Sequence, residues 1–284
     1  MNIIRKSGSL FLWANLLIWS KLPKHVRRGS LGLTWGRFIF YLVGLQGGHV
    51  QLETTYFFRN RAELKLLGEI TAQMNGNVDV LVVGCSEGAE VLSILHTINK
   101  AQPELKTNIL AFDISESALA IARKGSYLRN SRLFKYTRAI EIEELFSRTD
   151  DTLTVNNYYM EKIQWRNEDP TREPVRSSLS KQDIVFINRL LFHMSKSEAE
   201  RCLRAAASLV RRGGFLFVSG VDLDLRSRLA QEYGWRPITK YLEEIHSGDE
   251  TMTMDWPFKR WGLEPLNKKR KDWALRYCSV FQLT

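Results

Sequence analysis

The sequence predicts an α/β fold with a mostly parallel sheet and helices on both faces, and three observations carry that expectation. From residue 78 onward, short apolar runs alternate with amphipathic stretches. The stretch LVVGCSEGAEV (81–91) leaves one such run through a turn holding Gly84, Ser86 and Gly88, then enters a helical pattern. The stretch SKSEAERCLRAAASLVRRGG (195–214) carries helix start and stop signals between two further apolar runs.

The elements follow in order. Two apolar stretches, LFLWANLLIW (10–19) and RFIFYLVGL (37–45), are expected to be buried helices. The first is broken by Asn15 and runs into KLPKHVRR without a small-residue cleavage site, and the second is too short to span a bilayer. The alternative is a basic helix whose Trp13 and Trp19 lie on acidic lipid. VDVLVV (78–83) suits a strand buried on both faces, and the helix after its turn carries Val91, Leu92, Ile94 and Leu95. TNILAF (107–112) is a second strand closed by Asp113. SESALAIARKG (115–125) is a helix with Ser115 as N-cap and Gly125 as its stop. Residues 126–161 lack clear periodicity and read as an insertion with short strands around TLTVNNYYM. KIQWR (162–166), DIVFIN (183–188) and FLFVSG (215–220) are further strands. Between the last two, Ser195 and Glu198 form a capping box, and Ala199, Cys202, Leu203, Ala206, Leu209 and Val210 form one stripe. Arg211 and Arg212 complement the helix dipole, and Gly213 ends the helix. In the tail from 222 to 284, RWGLEPL and WALRYCSVFQL flank NKKRKD as a hairpin with a charged loop.

Composition bounds the function. The 284 residues suffice for one large domain with appendages or two small ones, with 44% hydrophobic and 25% charged residues. A formal net charge of +10 favours an acidic partner, although simple solubility explains it equally well. Three scattered cysteines (Cys85, Cys202, Cys278) exclude a disulfide framework and suit a reducing cytoplasm. Five histidines without helical ligand spacing give no expectation of a metal. Lys268, Lys269, Arg270 and Lys271 lie among aromatic residues, but a solvated loop explains them more simply than nucleic acid does.

The turn at 84–88 narrows the ligand. A nucleotide-hydrolase loop needs Gly-Lys-Ser/Thr where Ala89 and Glu90 stand. A dinucleotide fingerprint needs a middle glycine, and Glu87 and Glu90 would repel a pyrophosphate. A sulfonium cofactor has no phosphate and tolerates acidic neighbours. Asp113 stands where a carboxylate accepts ribose hydroxyls, or it caps the next helix.

Taken in sequence, ETTYFFRN (53–60), GCSEGAEVLSI, FDISESALAIARKGSY, DIVFINRLLFHMS and RRGGFLFVSG resemble the CheR-type methyltransferases, which methylate glutamate side chains of bacterial chemoreceptors. The resemblance covers about residues 52 to 222. Thr55, Phe57, Phe58 and Arg59 match the family's N-x-T-x-F-F-R, with Glu53 in place of Asn. Cys85, Ser86, Gly88 and Glu90 match its turn, and Asp113, Ile114 and Ser115 match its ribose-binding strand end. INRLLFHM (187–194) has Asn188 and Arg189 in swapped order.

The resemblance implies a Rossmann-like class I methyltransferase fold of seven strands, the last antiparallel, with S-adenosyl-L-methionine as cofactor. The implied organisation is an N-terminal helical region (1–60) and a methyltransferase domain (61–284), with an insertion at about 126–161 and an extension at 222–284. A protein glutamate is the implied acceptor; a small molecule, a glycan, or a non-catalytic binding role is the alternative. Gly84, Cys85, Ser86, Gly88, Glu90, Asp113, Ile114, Asp169, Asn188 and Arg189 are the expected cofactor residues. Thr55 and Tyr56 are expected to line the transfer channel, and Arg59 to bind a carboxylate. Phe57 and Phe58 are expected in the core. A carboxylate acceptor needs no general base; a hydroxyl or amine acceptor would direct attention to His193 or Tyr56.

Overall fold

The computed structural model describes residues 2–45, 55–248, 256–259 and 262–284. Glu53 and Trp261, which enter the sequence reading, lie outside these. By compactness the chain resolves into two units, 1–50 with 249–273, and 51–248 with 274–284. The sequence expectation put the boundary at 60/61 and kept the whole tail with the larger domain.

The smaller unit contains α1 (Asn2–Lys21), α2 (Lys24–Arg28) and α3 (Ser30–Leu45). Trp19, Leu33 and Trp256 form its buried centre, with the Trp19 ring edge-on to Trp35 and Trp256 at 5.6 and 5.5 Å. Gly36 is required there, since a Cβ would stand 2.1 Å from the Trp256 ring. Arg37 pairs with Glu264 at 2.6 Å. The expectation of buried helices holds for only one side of each. Trp13, Leu16, Leu17 and Ile18 of α1 and Leu31, Phe38 and Tyr41 of α3 are exposed.

The larger unit runs α4 (Arg61–Thr71), β1 (Asn77–Val83), α5 (Ala89–Ala101), β2 (Lys106–Phe112), α6 (Glu116–Lys124) and β3 (Ser126–Leu128). It continues with α7 (Ala139–Leu145), β4 (Phe146–Arg148), β5 (Thr152–Val155), α8 (Asn157–Met160), β6 (Ile163–Arg166), α9 (Val175–Ser178) and β7 (Gln182–Asn188). It closes with α10 (Lys196–Ser208), β8 (Val210–Ser219), α11 (Leu223–Glu232), β9 (Arg236–Pro237), α12 (Leu242–Ser247), α13 (Trp273–Tyr277) and β10 (Val280–Gln282).

The main sheet has seven strands in the order β6-β2-β1-β7-β8-β10-β9. Strands β6 to β8 are parallel, and β10 runs antiparallel to both β8 and β9. This is the Rossmann-like class I architecture with its antiparallel last strand. From β1 the chain winds outward through β2 to β6, then returns to β7 on the other side of β1. Right-handed crossovers therefore place α5 and α6 on one face and α10 on the other. The reversal between β1 and β7 opens a crevice at their carboxyl ends, where open sheets bind ligands.

Apolar periodicity drives these elements. Val80, Leu81, Val91, Leu92, Ile94 and Leu95 are all wholly buried, as expected of a two-sided strand and the helix covering it. Ser115 caps α6 by accepting from the Ala118 amide, and Gly125 ends it at φ +58°. Both halves of the Ser195–Glu198 capping box form. The insertion folds as a three-stranded antiparallel sheet, β3-β5-β4. Its Tyr127 and Phe146 join Phe134 around Phe57, which stacks on Phe134 at 5.0 Å. Phe57 and Phe58 are core residues, as expected.

Two expectations are corrected. The helix after Ser195 stops at Ser208, and Val210 already opens β8, so Arg211 and Arg212 complement no helix dipole. Pairing of Val210 with Gln182 draws this segment into the sheet, where Arg211 meets Asp183 at 2.8 Å. Among the described residues, the tail forms no hairpin around NKKRKD. Residues 273–277 are helical, and Val280 and Phe281 are buried by pairing with β8 and β9 instead of with 262–266.

Candidate functional site

The loop after β1 is fixed by its backbone. The amides of Gly84 and Cys85 both donate to the Phe112 carbonyl, at 2.8 and 3.0 Å, tying it to the end of β2. The Gly88 amide donates to the Cys85 carbonyl at 3.0 Å and starts α5. Gly84, Ser86 and Gly88 take φ of +79°, +48° and +87°. At Gly88 the requirement is double, because a Cβ would stand 2.8 Å from the Trp165 ring. Burial, reinforced by the Asp113 carboxylate, pushes the Cys85 thiol far above its ordinary range, so it packs as a neutral side chain. Tyr127 clamps the loop from the insertion, its hydroxyl donating to the Glu87 carbonyl at 2.8 Å.

Asp113 joins this loop to the end of β2. Its carboxylate accepts from the Ser86 amide at 2.7 Å and from the Ser115 amide at 2.9 Å, one oxygen each. Ser115 is the cap of α6, so Asp113 braces the loop. Each of its oxygens keeps a second lone pair that a sugar hydroxyl can use. Ile114 is exposed beside it.

The end of β7 is fixed by side chains. Asn188 is buried, and its amide nitrogen donates to Glu63 and to Glu90, both at 2.9 Å. Its oxygen accepts from the Ser219 hydroxyl at 2.9 Å. Arg189, at φ +54°, reaches the same Glu90 oxygen at 3.2 Å. Glu90 therefore links α5 to the end of β7, and Asn188 has both amide hydrogens occupied.

The expected residues fall into three groups. Gly84, Cys85, Ser86, Gly88, Asp113 and Ile114 form the β1–β2 side of the crevice, and Glu90, Asn188 and Arg189 its β7 side. Arg59 and Tyr56 form a second cluster, with the guanidinium 5.3 Å from the tyrosine ring and that ring edge-on to Tyr136. Thr55 is half-buried next to them. Asp169 is turned onto its own loop, accepting from the amide and hydroxyl of Thr171 and pairing with Arg172 at 3.0 Å. Sequence reasoning missed Glu63, Trp165, Tyr127 and Ser219. Glu63 reads as an ordinary third residue of a helix capped by Asn60. Nothing local marks the other three.

The residues present fit an adenosine-type cofactor. Ser86 Oγ and Trp165 Nε1 are buried and, among the described residues, have no hydrogen-bond partner. Both belong to side chains at the β1 loop, and leaving such groups unpaired costs on the order of 1–3 kcal/mol each. A nucleoside's hydroxyls and ring nitrogens are partners of the kind these two atoms lack. The glycine-lined loop has the Asp113 and Glu90 carboxylates beside it, which suits a cationic sulfur.

Comparison with known proteins agrees. The family model described as the CheR methyltransferase SAM binding domain matches residues 53–227. The chain is 24% identical over 178 residues to the chemotaxis protein methyltransferase of Listeria monocytogenes, covering 61% of this chain. It spans 66% of that relative's length. It is also 24% identical over 192 residues to the chemotaxis protein methyltransferase of Borreliella burgdorferi, covering 63% of this chain and 67% of that one. Among solved structures, a magnesium protoporphyrin IX methyltransferase from Synechocystis with bound SAM aligns at 14% identity and a TM-score of 0.39. That alignment covers 76% of this chain and 85% of the other. With a family model spanning more than half of its length and a crevice suited to a phosphate-free nucleoside, the chain belongs to the CheR methyltransferase family, and S-adenosylmethionine is its cofactor.

Proposed function

We propose that this chain methylates a carboxylate, with a glutamate side chain of a protein as acceptor. The observation that carries this reading is the state of the two carboxylates in the crevice. Asp113 is bound to two backbone amides, and Glu90 to Asn188 and Arg189. Both are held as fixed acceptors, which suits a reaction that needs no proton abstraction. A carboxylate acceptor is already ionised near neutrality. The cofactor supplies a methyl group on a positively charged sulfur, open to in-line displacement.

The chain's own residues have positioning tasks. Asp113 accepts the ribose hydroxyls, and Ser86 and Trp165 pair with the nucleoside. Gly84 and Gly88 let the backbone approach. Glu90, Asn188 and Arg189 hold the opposite wall, and Ile114 and Asp169 border the nucleoside. Arg59 receives the acceptor carboxylate through a bidentate contact, and Thr55 and Tyr56 line the path to it. Alignment and exclusion of water then supply most of the acceleration. Three free, buried cysteines suit a reducing compartment.

The test is labelled methyl transfer into lysate from cells lacking this protein. Alkali-labile label on protein is the expected result; label confined to small molecules overturns the acceptor. Titration calorimetry with S-adenosylhomocysteine checks the site: Asp113→Ala is expected to weaken binding at least about tenfold. Unchanged affinity removes Asp113 from the ribose site, and no binding by the wild type leaves a non-catalytic scaffold.

A further inference from the structure

The smaller unit leaves much apolar surface in the open. On α1 the covered side holds Asn15, whose amide oxygen accepts from the Trp35 indole at 2.9 Å, and Trp19. The open side holds Trp13, Leu16, Leu17 and Ile18, at 58%, 42%, 42% and 53% exposure. On α3, Leu33 and Ile39 are buried, while Leu31, Phe38 and Tyr41 are 86%, 53% and 63% exposed. The spacing of these three, seven residues and then three, puts them on one face of the helix. A helix facing water carries charge on that face. Here α3 has one charged residue, Arg37, and it pairs with Glu264.

Charge distribution identifies what covers this surface. Residues 1–45 contain seven Lys or Arg and no Asp or Glu. Lys21, Lys24, Arg27 and Arg28 fall within residues 21–28 of the sequence, where α1 passes into α3, and Lys21 and His25 are exposed. A second copy would set one block of positive charge against another. A bilayer-spanning role has no support, because no helix among the described residues is long and apolar enough to cross a membrane. An anionic lipid surface suits both features. Its acyl boundary accepts apolar side chains in any arrangement, its phosphates attract the basic joint, and Trp13 and Tyr41 are residue types that favour the interface. We propose that α1 and α3 form a docking surface for an anionic membrane, lying in its plane. This inference does not depend on the acceptor proposed above.

Flotation of the full-length chain with vesicles tests it. Phosphatidylcholine vesicles are compared with vesicles that also contain phosphatidylglycerol, at low and high salt. The expected result is binding at least about tenfold stronger to the anionic vesicles and weakened by salt. Leu31→Ser/Phe38→Ser/Tyr41→Ser and Lys21→Glu/Lys24→Glu are each expected to reduce it about tenfold or more. S-adenosylhomocysteine affinity, read on the same samples, is expected to stay unchanged and shows that the larger unit is folded. Should the triple variant fail to fold, Leu31→Ser alone serves, since Leu31 is the most open of the three. Absence of vesicle binding, or binding indifferent to both variants, overturns the proposal. So does a dimer seen by light scattering that the triple variant dissolves while vesicles stay unbound, which would make the surface a contact between copies. Retention by an acidic protein in the absence of vesicle binding likewise overturns it.

Discussion

The two walls of the crevice are built by different means. After β1, the shape comes from backbone amides and three residues at positive φ, with Trp165 packed where Gly88 has no side chain. After β7, it comes from side chains converging from four elements: Glu63 of α4, Glu90 of α5, Asn188 of β7 and Ser219 of β8. The first wall tolerates change at residues whose side chains make no bond there, but not at its glycines. The second tolerates no change of charge, because two carboxylates share the amide hydrogens of one asparagine.

The largest effect is expected from breaking the second wall. Asn188→Asp sets a third carboxylate between Glu63 and Glu90, out of water. Urea unfolding is expected to show a loss of roughly 3–5 kcal/mol, as for a buried charge without a partner. A loss below about 1 kcal/mol, the size of an ordinary hydrogen bond, would mean that this wall is not held as described. The first wall is broken at Gly88. Gly88→Val meets a left-handed φ of +87° and the Trp165 ring at 2.8 Å. Strain of about 1–3 kcal/mol plus that clash is expected to weaken S-adenosylhomocysteine by about 100-fold in calorimetry. Unchanged affinity would place the ligand elsewhere.

The smallest effect sharpens the comparison by supplying a site on neither wall. Glu200, held by Arg228 and Arg204, has its carboxyl pulled down from 4.5 to about 2. A depressed carboxylate stabilises the fold above its unfolded value, and this contribution disappears as pH falls from about 4.5 toward about 2. Glu200→Gln is expected to flatten the dependence of stability on pH in that window, modestly because the pair is exposed. S-adenosylhomocysteine affinity at neutral pH should stay at the wild-type value. A matching loss of affinity would couple this surface cluster to the crevice.

Legibility in the sequence follows the same division. The loop at 84–88, Asp113, the cap at Ser115 and the capping box at Ser195 could be read directly, since each is specified within a few residues. The partners of Asn188 could not, because Glu63 lies 125 residues away and looks like a routine helix residue. Trp165 was likewise hidden, as its part depends on where β6 lands beside β2. The end of α10 misled because Leu209 and Val210 continue the helical stripe while strand pairing with Gln182 captures them. The tail misled because strand-forming residues near its end pair with distant neighbours.

One feature of the sheet bears on how the molecule is made. Strand β10 lies between β8 and β9, although it is translated after both. On the ribosome, β9 has no lateral neighbour until residues 280–282 emerge, and the outer edge of β8 stays open meanwhile. Completion of the sheet is therefore postponed until residues 280–282 have emerged, and the nascent chain must pass through a stage with an unpaired strand edge that a chaperone could shield.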